Sequence, residues 1–271
     1  MLILATGTSG TIGKHFSSHV SPISADLRNS NSVQTVLGKF QNKENSSLIH
    51  LAGVVGKNEV EKDLNNSRKI NILGTESLAE YFKSNFSGKF YYVSTSHVYA
   101  SSKDPIDEEF ETSPSTLYAS QKLETEILLK EIFSDSPDRL CILRLFSVLD
   151  WDTAPFTLGG GIRKLADKNS DFELNYSNDI RDFLTPKTVA ETILTLVKVD
   201  KASGIVNVCT NVGTQVIDAS VRMLTESNFQ IPYSRINSGI SDNPIIVGNN
   251  SKLLNILPNL EIGWKPSQIS E

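Results

Sequence analysis

The sequence predicts an α/β protein: a doubly wound parallel sheet carrying a smaller lobe. Three observations predict it. Short apolar runs alternate with longer stretches of helical periodicity, the pattern of successive βαβ units. A glycine-rich turn, ATGTSGTIGKH, joins the first apolar run to the first helical stretch. A chain of 271 residues suffices for one large α/β domain with an attached lobe.

Taken in order, LILAT (2–6), SLIHLA (47–52), KFYYVS (89–94) and LCILRLF (140–146) read as strands. Helical stretches lie between and after them, near 11–20, 30–40, 59–86 and 115–133. Only SPISADLRN separates His19 from the second helix, so one βα unit is shortened or missing. Beyond Ser147 the pattern loosens into a helix near 158–168, a short apolar piece, a helix near 187–198, the strand IVNVCT and a helix near 217–228. The tail from Gln230 is loop-rich and holds Pro232, Pro244, Pro258 and Pro266. Residues 1–150 therefore form the main unit, to which the chain returns near 187–210, and 151–271 mainly form the smaller C-terminal α/β lobe.

Net charge is −5 and no Lys/Arg-rich run is present, which argues against nucleic acid or an anionic membrane surface as partner. The opening MLILATG is too short for a signal-peptide core, and nothing later approaches a membrane span. Cys141 and Cys209 lie in apolar runs, and no His/Cys cluster has metal-ligand spacing, so both read as reduced core residues of a cytoplasmic protein without a metal. A small-molecule enzyme fits this profile.

The glycine turn points to a dinucleotide. Gly7 permits the tight turn, Gly10 lets backbone approach a pyrophosphate, and Gly13 lets strand and helix pack closely, the logic of a Rossmann-like domain. Backbone N–H groups of Gly10, Thr11, Ile12 and Gly13 then face the phosphates at the helix start. A second feature is YASQK (118–122). Residues four apart share a helix face, so Tyr118 and Lys122 read either as a pair acting on one substrate or as an ordinary amphipathic turn.

The glycine spacing, followed in order by HLAG (50–53), NILGT (71–75), STSHVY (94–99), YASQK and RDFLTPKTVA (181–190), resembles the extended short-chain dehydrogenase/reductase family. The resemblance runs to about residue 200 and returns weakly at SKLLNILPNLEIGWKP. It implies an NAD(P)-dependent epimerase, dehydratase or reductase acting on a nucleotide-linked sugar, and a homodimer formed by the helix before STSHVY and the helix bearing YASQK. Tyr118 is then the acid/base and Lys122 its electrostatic support, because an adjacent ammonium lowers a phenol's pKa; both also contact the nicotinamide ribose end of the cofactor. Thr95 hydrogen-bonds the reacting oxygen, or merely satisfies backbone at a strand end. Asn71 matches the Asn of the NxxGT motif and supports a water or backbone link to the lysine. Leu51, Ala52 and Gly53 border the cofactor.

Dehydratases of the family carry Asp-Glu where this chain has Ser96-His97, which argues against water elimination by that route. His97 is a second acid/base candidate because its pKa lies near neutral; the alternative is a histidine that only hydrogen-bonds substrate or loop. Arg181 offers paired donors to nucleotide phosphates, or pairs with a nearby carboxylate. Ser96 and Ser147 are substrate-side residues, Ser147 standing where the family has Asn. Asp26, Leu27 and Arg28 have two readings. Asp26 lies where an acidic residue binds the adenosine ribose and favours NAD, yet the stretch also resembles the family's later Asp-Leu, with Arg28 placed to hold the 2′-phosphate of NADP. The leading expectation is an epimerase or 4-keto reductase; the rival is a non-catalytic dinucleotide-binding sensor or scaffold.

Overall fold

The computed structural model describes residues 1–40, 44–151, 153–154, 157–166, 173–226 and 236–265. Pro232 and Pro266 lie outside the described residues.

Strand β1 (Leu2–Thr6) leads through the glycine turn into a 3-10 helix, Gly13–His19. An α-helix over 11–20 does not form, because Gly, Ser and His are weak helix formers and the run is short. Strand β2 (Ser21–Ile23) is three residues long and precedes α1 (Ser30–Gly38), whose cap Asn29 accepts from Asn31 N and Ser32 N. Strand β3 (Ser46–His50) follows.

The single helix expected near 59–86 is broken: α2 (Lys57–Lys62), α3 (Leu64–Arg68), a π-helical stretch (Lys69–Gly74) and α4 (Thr75–Asn85). Asp63 leaves helical geometry (φ −148, ψ 88) to cap α3 through Asn66 N, which is what its short acceptor side chain favours. Next come β4 (Phe90–Thr95), α5 (Leu117–Ile132) and β5 (Leu140–Leu145). Thr116 caps α5 by accepting from Ala119 N, so the helix bearing YASQK starts just before Tyr118.

The remaining elements are β6 (Ser147–Val148), α6 (Leu158–Ala166), β7 (Ile180–Leu184), α7 (Pro186–Val199), β8 (Gly204–Val208), β9 (Gly213–Gln215), α8 (Val216–Glu226), β10 (Ile245–Ile246) and α9 (Ser251–Ile256). Six strands form one sheet in the order β2-β1-β3-β4-β5-β8, every pairing parallel. This is the doubly wound Rossmann-like fold, with the short β2, which lies at the sheet edge beside β1, the one strand in the chain between β1 and β3 among the described residues. In the second sheet β7 pairs in parallel with β6 and β10 and antiparallel with β9.

Alternation along the strands separates two cores. Ile3, Ala5, Tyr91, Val93 and Leu143 pack with Val189, Ile193 and Leu196 of α7 on one face. Leu4, Leu48, Phe90, Tyr92 and Ile142 pack with Leu37, Phe82 and Leu129 on the other. Burying each such side chain contributes about 1.5–3 kcal/mol, and both faces are covered, as parallel strands require. Leu149, Trp151, Phe183 and Met223 form a separate cluster under the second sheet. Among the described residues no helix is long and apolar enough to cross a membrane.

Candidate active site

A parallel sheet sends all its strand-to-helix connections to one edge, the edge at which α/β folds bind ligands. Gly7 follows β1, Asp26 follows β2, Leu51–Gly53 follow β3, Thr95 ends β4, and Ser147 follows β5.

The turn after β1 is shaped for close backbone approach. Gly7 has φ +69, and a Cβ there would lie 2.7 Å from Ala52 N. A Cβ on Gly13 would fall 2.2 Å from Gly7 O. Gly10 differs: a Cβ would meet only Gly7 O, at 3.2 Å, and the residue is exposed while Thr11 and Ile12 are half-buried. A turn closed underneath by Gly7 and Gly13 and open at Gly10 fits a dinucleotide pyrophosphate.

After β2, Arg28 Nε and Nη2 donate to the two carboxylate oxygens of Asp26 at 2.8 and 3.0 Å. This exposed pair holds the Asp26 carboxyl below the usual range, chiefly through the Arg28 side-chain hydrogen bond. Leu27 between them is buried.

Tyr118 is half-buried, and its hydroxyl makes no hydrogen bond among the described residues. Lys122 is almost fully buried; its Nζ donates to Val93 O at 2.8 Å and sits 4.6 Å from the Tyr92 ring centroid. Burial lowers its pKa to about 8, partly offset by Glu126. The Tyr118 pKa is not lowered as expected from an adjacent ammonium: desolvation raises it, moderated by the half-exposure of the residue, and the Lys122 ammonium bonds to Val93 O.

Thr95 Oγ1 accepts from His97 N at 3.3 Å, capping the short 3-10 turn Ser96–Val98, and its own hydroxyl hydrogen is left to donate. Ser96 Oγ is buried with no partner among the described residues. His97 is exposed. Desolvation, then the Arg181 charge, lowers its pKa, with solvent access moderating both effects, so the ring is neutral at pH 7 and a weaker base than an ordinary histidine.

Asn71 is locked. Its Oδ1 accepts from Val54 N at 2.8 Å, and its Nδ2 donates to Val54 O and to Gln121 Oε1. Arg181 Nη2 donates to Asp179 Oδ2 at 2.8 Å, and Nη1 to Pro244 O at 2.8 Å; the carboxylate partner is the second of its two sequence readings. Ser147 is half-buried at the start of β6.

Sequence reasoning missed three buried polar residues. Glu126 accepts from Ser94 Oγ and from Arg144 Nη2 at 2.7 Å, and Arg144 lies 4.5 Å from the Tyr99 ring centroid. Tyr118, Lys122 and Glu126 follow one another at i, i+4 and i+8, a signal legible in YASQKLETE. Gln121 donates to Ser67 Oγ at 3.0 Å, linking α5 to α3.

The model of the NAD dependent epimerase/dehydratase family matches residues 3–209. A GDP-6-deoxy-D-mannose reductase from Pseudomonas aeruginosa is 29% identical over 228 residues, 76% of this chain and 74% of that protein. The solved structure of RMD from Pseudomonas aeruginosa complexed with NADPH aligns with a TM-score of 0.80 at 24% identity, covering 98% of this chain and 94% of that one. A Thermus thermophilus UDP-glucose 4-epimerase in complex with NAD aligns with a TM-score of 0.83 at 18% identity, covering 97% and 95%. At these identities the structural likeness is one of fold.

Proposed function

For a chain that belongs to the NAD-dependent epimerase/dehydratase family, we propose an NAD(P)-dependent enzyme that reduces a keto group on a nucleotide-activated sugar. The observation that supports this reading is that the open glycine turn follows β1 and Thr95 ends β4 at one edge of the parallel sheet, with α5, which bears Tyr118 and Lys122, bonded to β4 through Lys122 Nζ and Val93 O. When bound, the nicotinamide supplies the hydride. Thr95 donates a hydrogen bond to the reacting oxygen, and Tyr118 gives that oxygen its proton. Lys122 carries the positive charge that favours the phenolate left behind and binds the nicotinamide ribose.

Reduction is preferred to epimerisation because the reductase match spans 76% of this chain. Ser96 and Ser147 face the sugar in this reading, and residues 151–271 mainly form the substrate lobe while 1–150 bind the dinucleotide. Arg181 reaches a nucleotide phosphate only by exchanging a present partner. Asp26, directly after β2, favours NAD.

The test is to purify the protein, identify bound nucleotide by mass spectrometry, and incubate it with NADH or NADPH and a panel of 4-keto nucleotide sugars. Stoichiometric consumption of reduced cofactor is expected. Product formed with the cofactor merely recycled indicates epimerase, and no turnover of any sugar leaves the sensor reading standing instead. The same family reading makes the protein a homodimer. Leu73 is 55% and Ile127 61% exposed, on the helical stretch before α4 and on α5. Light scattering is expected to give twice the chain mass at micromolar concentration; a monomer mass would contradict it.

A further inference from the structure

We propose that His50, buried at the end of β3, is a positioning residue that ties the dinucleotide-binding turn to the helix bearing Tyr118 through a hydrogen-bond chain of fixed direction. The inference rests on the proposed dinucleotide site.

The direction follows from counting hydrogens. Thr75 Oγ1 lies 2.8 Å from Asn71 O, and a hydroxyl facing a carbonyl donates. Its one hydrogen is thereby used, so at 2.8 Å from His50 Nε2 it accepts. Nε2 therefore carries the imidazole hydrogen, and Nδ1 is an acceptor. Thr6 Oγ1, 2.6 Å from Nδ1, donates to it, and Thr6 in turn accepts from Ala52 N at 3.1 Å. The reverse direction would deprive Asn71 O of the Thr75 hydrogen and leave the Thr6 hydrogen without an acceptor. His50 is 1% exposed; burial, then the Lys122 charge, depresses its pKa to about 3, so the neutral form persists through the physiological range.

Both ends of the chain reach the proposed site. Ala52 N is the atom that closes on Gly7, while Asn71, whose O takes the Thr75 hydroxyl, reaches α5 through its own Nδ2, which donates to Gln121 Oε1 at 2.8 Å. The Thr125 hydroxyl of α5 lies 2.7 Å from Gln121 O and 3.1 Å from Asn71 O, so its one hydrogen goes mainly to Gln121 O. His50 thus fixes the distance between the pyrophosphate turn and the α5 face that must meet the nicotinamide end of the same ligand.

The experiment titrates NADH and NADPH into the wild type, His50→Leu, Thr75→Val and the double variant by fluorescence, with thermal melting in parallel. Nitrogen-15 spectra of the wild-type imidazole complete it. About tenfold weaker binding is expected for each single variant, because each breaks the same buried chain between His50 and Thr75. The double variant is expected to be no weaker than either single one, because both changes cut one chain. The wild-type ring is expected to show the Nε2–H pattern from roughly pH 5 to 8, across the range where an ordinary histidine titrates. Unchanged binding by His50→Leu, multiplying effects in the double variant, or an Nδ1–H pattern would overturn the proposal. If His50→Leu does not fold, Thr6→Val and Thr75→Val, which keep side-chain volume, carry the same comparison. A wild type that binds neither dinucleotide removes the functional reading, and this inference with it.

Discussion

Replacing Tyr118 with Phe lowers sugar turnover about 10²–10⁴-fold, the usual worth of a positioned proton donor, while folding and dinucleotide binding stay near wild type. The expectation of unchanged stability is structural. The Tyr118 hydroxyl makes no hydrogen bond among the described residues, so its removal strands no partner. The expectation of lost turnover follows from the surroundings. A phenol keeps its proton at neutral pH, and gives it up when the developing alkoxide, a stronger base, demands it. Lys122, whose Nζ now donates to Val93 O, can favour the phenolate only once it turns toward the pair. The measurement is kcat for the best 4-keto nucleotide sugar, beside melting temperature and NADH affinity. Equal kcat in the two proteins would remove Tyr118 from the chemistry.

What was legible in the sequence was what is local. The short apolar runs of β1, β3, β4 and β5 and the glycine turn are readable because each is specified by neighbours within a few residues. Two-residue strands such as β6 and β10 have no period to read, so the second sheet stayed hidden. The break at Asp63 is a capping event inside an otherwise continuous helical pattern, and periodicity averages over it. Lys122 was found by spacing, but its bond to Val93 O joins residues of different elements, and no spacing rule announces it. Arg144 carries no local signal, since its partner Glu126 lies on another element and becomes a neighbour only when α5 packs on the sheet. Arg181 shows the converse: a residue type suited to phosphate is held by Asp179 instead, a choice made by the fold.

Glu126→Gln is expected to cost about 3–5 kcal/mol of stability, the range for breaking a buried ion pair from one side. The pair is dry: the Glu126 and Arg144 side chains are 1% and 3% exposed. Glutamine keeps the shape and much of the hydrogen bonding, so the loss comes from a guanidinium left without its counter-charge. The same change reaches Lys122, whose pKa burial has lowered to about 8 against the opposing pull of Glu126. A lysine with a folded pKa below its unfolded value near 10.4 binds more protons when unfolded. Its penalty is therefore full below pH 8 and is relieved as pH rises through the window up to the unfolded value. Without Glu126 the folded pKa falls further, the window opens at lower pH, and the alkaline limb of kcat/KM moves toward neutrality as the ammonium is lost sooner. Chemical denaturation and a pH–rate profile separate the two effects. Adding Arg144→Met to Glu126→Gln removes both charges and is expected to restore most of the stability while leaving the limb displaced, because Lys122 still lacks the Glu126 charge. An alkaline limb that stays in place in Glu126→Gln would show that the lysine does not sense this carboxylate, whatever happens to stability.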